Sequence, residues 1–297
     1  MHKKARSEGL APIGEELIKM LDALKHRGKD SSGVTIAGEG SKDDLILRLW
    51  TDSGEVWEEF LARVEERIVE CGGVVRSSKP WNEYLRLTIN YEGDIAALAD
   101  ALMNARGVHI HSIGRVSEVV KDIGTALNVN QRHDIGSLRG THGIGHVRMA
   151  TESQVDINHS HPFWAYPFPD VTVVHNGQLT NYYKLKRKYE DRGYRFQTEN
   201  DSELIAVYLA DKLAKGLDLE DGLKDALDDL DGTFTFLAST ENGLGYAKDR
   251  WSAKPLVFTE TDNVVAIASE EVALRSVFAE EIERVEPQES EVRTWLI

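Results

Sequence analysis

The rhythm of apolar residues changes along this chain, and that change limits its fold more than any other feature. Between residues 41 and 115 it runs strand, helix, strand, strand, helix, strand. Leu45 to Trp50 alternates with the period of a strand, while Val56, Trp57, Phe60, Leu61, Val64 and Ile68 recur at helical spacing. Gly72-Gly73 leads into a short extended run, Val74 to Ser77, and Lys79-Pro80-Trp81-Asn82 turns the chain into Tyr84 to Tyr91. Ile95, Leu98, Ala99 and Leu102 make a second helical stripe, and Val108 to Ile113 closes the set. This β-α-β-β-α-β order is the split pattern of a ferredoxin-like unit. It predicts an inserted subdomain over 41–115, with 1–40 and 116–297 forming the body around it.

The body has its own signals. Pro12 is placed for a first helical turn, and Ile13, Leu17, Met20, Leu21 and Leu24 lie on one face. That helix is predicted to stop at His26-Arg27-Gly28, where basic side chains suit a C-terminus and glycine suits a left-handed cap. Lys29 to Gly33 reads as a turn before a short strand, Val34 to Ala37. From His142 the strands are denser: Gly145 to Met149, Val171 to His175, Thr233 to Ser239, Leu244 to Ala247, Pro255 to Phe258 and Val264 to Ala268. Helices are predicted around Tyr182 to Arg192, Ser202 to Leu213 and Leu219 to Leu230. Runs of strands beside runs of helices predict an α+β arrangement of stacked sheets and helices.

Composition narrows the partners. Thirty-five Lys and Arg against 50 Asp and Glu give a formal net charge of −15, a field that repels nucleic acid and anionic membranes. The longest uninterrupted apolar run, Leu204 to Ala210, falls far short of the roughly 20 residues a bilayer demands. With no charged-then-apolar leader opening the sequence, the expectation is a cytoplasmic protein. A single cysteine, Cys71, excludes an internal disulfide and a zinc cage of several thiolates. Glycine-rich nucleotide loops are missing, so no cofactor is expected. The six tryptophans and the helical stripes supply core and subunit surface, which leaves room for an oligomer.

Three constellations could carry chemistry. Val171-Thr-Val-Val-His-Asn-Gly177 is an apolar strand ending in Asn176-Gly177. Glycine allows a close backbone approach, and its N–H with the asparagine amide would make two convergent donors for an oxyanion. The bland alternative is a plain turn. In Gly145-His146-Val147-Arg148-Met149-Ala150-Thr151 a guanidinium sits within an apolar strand, which is favourable only against a carboxylate, internal or from a ligand. Asp201, in Glu199-Asn200-Asp201-Ser202-Glu203, is either a fixed carboxylate for an ammonium or, like Ser202, a helix N-cap. Together, these groups describe a site for an α-amino acid with a side-chain carbonyl. Asn158-His159-Ser160-His161-Pro162 has metal-like spacing, yet lacks a further ligand at a diagnostic interval and reads as a loop beside the site.

In order, the motifs are His26-Arg27-Gly28-x-Asp30-Ser31-x-Gly33, Gly145-His146-x-Arg148-x-Ala150-Thr151, His161-Pro162, Val174-His175-Asn176-Gly177, Asn181-Tyr182, Asp201-x-Glu203, Asp249-Arg250, Lys254-Pro255-Leu256 and Ala268-Ser269-Glu270. This set resembles the class II glutamine amidotransferase domain. Ser112-Ile113-Gly114-Arg115 and Lys121-Asp122-Ile123-Gly124 resemble its glutamate-synthase-like branch, which includes the amidotransferase subunit of N-methylglutamate synthase. The resemblance implies a four-layer α/β/β/α N-terminal-nucleophile hydrolase sandwich. It also implies hydrolysis of glutamine to glutamate and ammonia, which goes to a synthase partner. Carried over, Arg148 with Thr151 holds the α-carboxylate of glutamine, Asp201 its α-ammonium, and Asn176 with Gly177 the oxyanion. Members of the family open with Cys-Gly-Ile, whose thiol is the nucleophile and whose α-amine is the base. This sequence opens Met1-His2-Lys3-Lys4, and Cys71 falls in the insert. It is therefore expected to be inactive unless a Cys-led N-terminus is present. The alternative is a catalytically dead glutamine-binding sensor or scaffold subunit.

Overall fold

A computed structural model describes residues 1–41, 43–52, 54, 56–149 and 155–297. Ala5–Glu8 forms one turn, α1, and the apolar stripe from Ile13 folds as α2 (Ile13–Ala23), burying Ile13, Ile18 and Leu21. A tight turn over Lys25–Arg27 leads to β1 (Ser31–Ala37). The expected turn over residues 29–33 is shorter than predicted. The strand starts at Ser31 because it is paired on both sides, with Ile123 and with Arg148. Gly28 is also not a left-handed cap; its φ of 178° is ordinary extended backbone.

Next come β2 (Asp44–Trp50), α3 (Trp57–Glu70), β3 (Val74–Trp81), β4 (Tyr84–Asn90), α4 (Ile95–Met103) and β5 (His109–Gly114). The strands pair antiparallel in the order β3-β4-β2-β5, a ferredoxin-like sheet. Leu45, Leu47, Phe60, Val64, Leu85, Leu87 and Leu98 are wholly buried in its core, and each such side chain contributes about 1.5–3 kcal/mol. That core also takes in Trp164 and Tyr166, from well beyond residue 115. On β2 the alternate residue Arg48 is buried too, because it meets the body rather than water.

The body continues with β6 (Ser117–Ile123), α5 (Ala126–His133), β7 (His142–Arg148), β8 (Phe163–Trp164), β9 (Thr172–Leu179), α6 (Tyr182–Glu190), α7 (Asp201–Ala214) and α8 (Leu219–Asp229). It ends with β10 (Gly232–Thr240), β11 (Gly243–Lys248), β12 (Val257–Glu260), β13 (Val265–Ala268), α9 (Glu271–Arg275) and β14 (Val292–Leu296). One sheet has the order β6-β1-β7 and a second β14-β11-β10-β9-β8, while β12 and β13 form a two-stranded pair of their own, all antiparallel. Helices α2 and α5 cover the first sheet, α7 and α8 cover the second, and β7 faces β9, β10 and β11 between them. The protein is thus an α+β sandwich of two facing sheets between helical layers, with a ferredoxin-like insert. The apolar run Leu204 to Ala210 is fully inside, as the α7 face on the second sheet and its neighbours. Among the described residues no helix is long and apolar enough to cross a membrane.

Candidate active site

Arg148 closes β7 and is buried. Its carbonyl accepts the Asp30 N–H at 3.1 Å, and a Cβ on Gly28 would lie 2.3 Å from its carbonyl carbon. Thus the Gly28-to-Gly33 motif is the backbone cradle of Arg148. The motif's basic pair anchors the cradle from outside, with His26 Nε2 2.9 Å and Arg27 Nη1 2.6 Å from the Glu270 carboxylate. Burial lowers the guanidinium's pKa, and the nearby Asp156 and Asp30 carboxylates oppose that shift. Thr151, expected beside Arg148, lies outside the described residues.

Asn176 and Gly177 sit within β9, not at a turn, since the strand runs on to Leu179. Gly177 has φ 145°, and a Cβ there would be 2.0 Å from the Thr233 carbonyl oxygen, so β10 approaches as only glycine allows. β10 is held in that position by Asp249, whose carboxylate accepts the Phe234 N–H at 2.7 Å and the Trp251 N–H at 2.6 Å. Phe234 is the residue paired with Gly177. Thr235, paired with Asn176, donates its hydroxyl to the Lys254 carbonyl at 3.3 Å. The late motifs therefore support the Asn176-Gly177 strand from behind.

Asp201 is the first residue of α7, and the N-cap is Asn200, whose side chain accepts the Ser202 N–H at 2.9 Å. Capping is therefore not the duty of Asp201 or Ser202. Instead, one Asp201 oxygen accepts the Leu179 N–H at 3.0 Å, and the other lies 3.5 Å from His175 Nδ1. Burial pushes the carboxyl pKa up, but the His175 contact and the Leu179 N–H outweigh it and hold the pKa low. His175 Nδ1 also lies 3.1 Å from the Ser202 hydroxyl. Asp201 and the Asn176-Gly177 strand are thus one connected unit.

Sequence reasoning did not assemble the histidines. His146 stacks on His161 with ring centroids 4.2 Å apart, and the His175 N–H points at His161 Nδ1 at 3.4 Å. Burial holds His146 down to about 3 and His161 well below the usual imidazole range, so both are neutral. The available signal was that three separate motifs, around residues 146, 161 and 175, each carried one histidine. Among the described residues no cluster of three or more His, Cys, Asp or Glu is placed to hold a metal. Cys71 follows α3 in the insert and packs against that core.

A cavity of about 190 Å³ opens beside these groups, lined by Leu17, Leu21, His146, Asn176, Leu244 and Val265 among others. Residues of both β7 and β13 line it, and among the described residues the named strand that pairs with β13 is β12. At its mouth Met1 and Val265 exchange both backbone hydrogen bonds, at 2.8 and 2.9 Å, and His2 donates its N–H to the Thr141 carbonyl at 2.8 Å.

A family model described as a glutamine amidotransferase domain matches residues 146–276. A relative from Methanothermobacter thermautotrophicus, named "Putative glutamine amidotransferase", is 38% identical over 289 residues, 95% of this chain and 95% of its own length. The glutamine amidotransferase-like protein GlxB of Rhizobium meliloti is 36% identical over 285 residues, 95% of this chain and 92% of its own. Among solved structures, the glutamine phosphoribosylpyrophosphate amidotransferase of B. subtilis, complexed with ADP and GMP, superposes with a TM-score of 0.59 at 21% identity. That match covers 95% of this chain but 44% of the other, and at such identity it speaks to fold alone. With near-complete coverage of two relatives, the chain belongs to the glutamine amidotransferase family, and its sandwich is the fold of the class II, N-terminal-nucleophile type.

Proposed function

We propose that this chain is the glutaminase unit of a glutamate-synthase-like assembly, hydrolysing L-glutamine to glutamate and ammonia and passing the ammonia to a synthase partner. The observation that carries this reading is the linkage of Arg148 on β7, Asn176-Gly177 on β9 and Asp201 at the start of α7 through stacked and hydrogen-bonded histidines. Arg148 with Thr151 takes the α-carboxylate, Asp201 takes the α-ammonium, and Asn176 with Gly177 faces the oxyanion. A thiolate bonds to the amide carbon, the C–N electron pair leaves with a proton as ammonia, and water then opens the thioester to give glutamate.

The thiol in this proposal comes from a Cys-led strand ahead of Met1, seated in the cleft between β7 and β13. The cleft has a largely apolar lining with residues of β7 and β13 along it, and Met1–Val265 already forms a hydrogen-bonded antiparallel pair beside it. The Met1 ammonium is buried there and lowered to about 6 by that burial. A peptide N–H could make the same bond to Val265 without the charge. The test adds a Met-Cys-Gly-Ile-Val-Gly extension and measures ammonia release from L-glutamine. Release that vanishes on Cys→Ala at the new terminus supports the reading, and no release overturns the assignment of the nucleophile. Calorimetry showing no glutamine binding by the chain in either form overturns the site.

One observation favours a second reading, a glutamine-binding sensor or scaffold. The single cysteine, Cys71, lies in the insert rather than among the site groups. Persistent glutamine binding with no turnover in the extended chain selects it. In either reading, residues 41–115 are proposed as the partner-contacting unit, because the site groups all come from the body.

A further inference from the structure

Lys121 is a buried lysine on β6 that no step above uses. Its ammonium donates to the carbonyls of Ser160 at 2.8 Å and Pro162 at 3.2 Å, and sits 4.9 Å from the Phe163 ring centroid. Those carbonyls flank His161 on either side in sequence. Across the ladder, Gly33 is paired with both Lys121 and His146, so the three share one face of the sheet. A Cβ at Gly33 would come 2.5 Å from the Lys121 Cβ and 2.3 Å from the His161 carbonyl oxygen. The glycine therefore opens the space in which lysine and histidine loop lie over the strand. His161 then stacks on His146, two residues before Arg148, and accepts the N–H of His175, one residue before Asn176.

We infer that Lys121 is a positioning residue of the glutamine site: by gripping the carbonyls on both sides of His161, it fixes the imidazole that sets the spacing between the Arg148 strand and the Asn176-Gly177 strand. This inference rests on the proposed glutamine site. The spacing matters because a bound amino acid must reach Arg148 and the oxyanion donors at once, and a misplacement of about 1 Å at such sites is costly. The burial of Lys121 is itself unfavourable. It pulls the ammonium down to about 8, while Glu203 and Asp156 pull the other way. A local cost of this kind tends to persist where a site needs the group.

The test compares Lys121→Met, which keeps length without donors, with Lys121→Gln, which keeps N–H donors without charge. Calorimetry with L-glutamine and long-range 1H–15N spectra of the histidine rings are the readouts. Lys121→Met should weaken glutamine binding about tenfold, the worth of roughly one net hydrogen bond. It should also remove the His161 signature of an acceptor Nδ1 and a protonated Nε2. Lys121→Gln should restore most of both. Met binding within twofold of wild type, with unchanged ring spectra, overturns the inference. A folded Gln variant that loses binding as fully as Met also overturns it, because charge rather than carbonyl-holding would then matter. If Lys121→Met does not fold, the Gln variant decides alone: retained binding and ring spectra support the inference, and loss of either overturns it. A wild-type chain that binds no glutamine overturns the site reading instead, and the ring spectra of the two variants still decide the inference.

Discussion

Gly28 and Arg148 meet backbone to backbone: a Cβ on Gly28 would stand 2.3 Å from the Arg148 carbonyl carbon and 2.6 Å from the Met149 nitrogen. Since the φ of Gly28 is ordinary, alanine there is limited by space rather than by backbone strain. Gly28→Ala should therefore push β7 outward, costing about 1–3 kcal/mol as overpacking does. It should weaken glutamine binding as well. Denaturant midpoints and calorimetry on the same sample check both halves, and an unchanged dissociation constant would separate the cradle from the site.

Asn200 and Asp201 are adjacent but should fail differently. Asn200→Ala removes the α7 cap and should cost about 1 kcal/mol of stability, with glutamine binding retained in the folded fraction. Asp201→Asn should leave the helix stable and weaken glutamine binding. Arg148→Ala should abolish binding, because an unpaired ligand carboxylate in a desolvated site costs about 3–5 kcal/mol. Equal stability losses from Asn200→Ala and Asp201→Asn, with equal binding, would remove Asp201 from the site.

Acid should destabilise this fold earlier than carboxylate chemistry alone would. His142 is buried, with Nε2 2.9 Å from the Thr240 carbonyl, and burial lowers it to about 4; His111, His146 and His161 are lowered in the same direction. A folded-state value below the unfolded 6.5 means that the unfolded chain binds more protons. The stabilisation is complete above pH 6.5 and is lost as pH falls toward 4, by about 3 kcal/mol for His142 alone. Melting temperatures from pH 8 to pH 5 should fall from about 6.5 downward, and His142→Gln should flatten part of that slope. A curve level down to pH 5 would contradict the buried neutral state.

Glu118 on β6 fastens the insert to the body. Its carboxylate lies 2.6 Å from the buried Arg48 and 2.9 Å from Arg86. Glu118→Gln leaves Arg48 buried without its charge partner and should cost about 3–5 kcal/mol. Limited proteolysis should then cut near residues 41 and 115 faster than in wild type. Glutamine binding by the folded variant should persist if the insert stays outside the pocket. Loss of binding with the fold intact would place the insert in the pocket's construction.

Local pattern made much of this protein legible. The α2 stripe, both insert helices and the strand around 84–91 were readable because one buried face imposes its period on consecutive residues, and the strands around 45–50 and 233–239 because apolar residues crowd a short run. The β-α-β-β-α-β order followed from those elements, and the ordered motifs pointed to the family. Strand β6 was missed, though Ser117 to Ile123 is extended throughout, because its neighbours are residues 31–37, far away in sequence. The roles of Gly28 and Lys121 escaped for the same reason: each depends on a partner that chain order does not place beside it. Spacing along the chain reports which face of one element is buried. Which backbone lies 2.3 Å from Gly28, and which carbonyls surround Lys121, exist only once the two sheets stack and β6, β1 and β7 come into register.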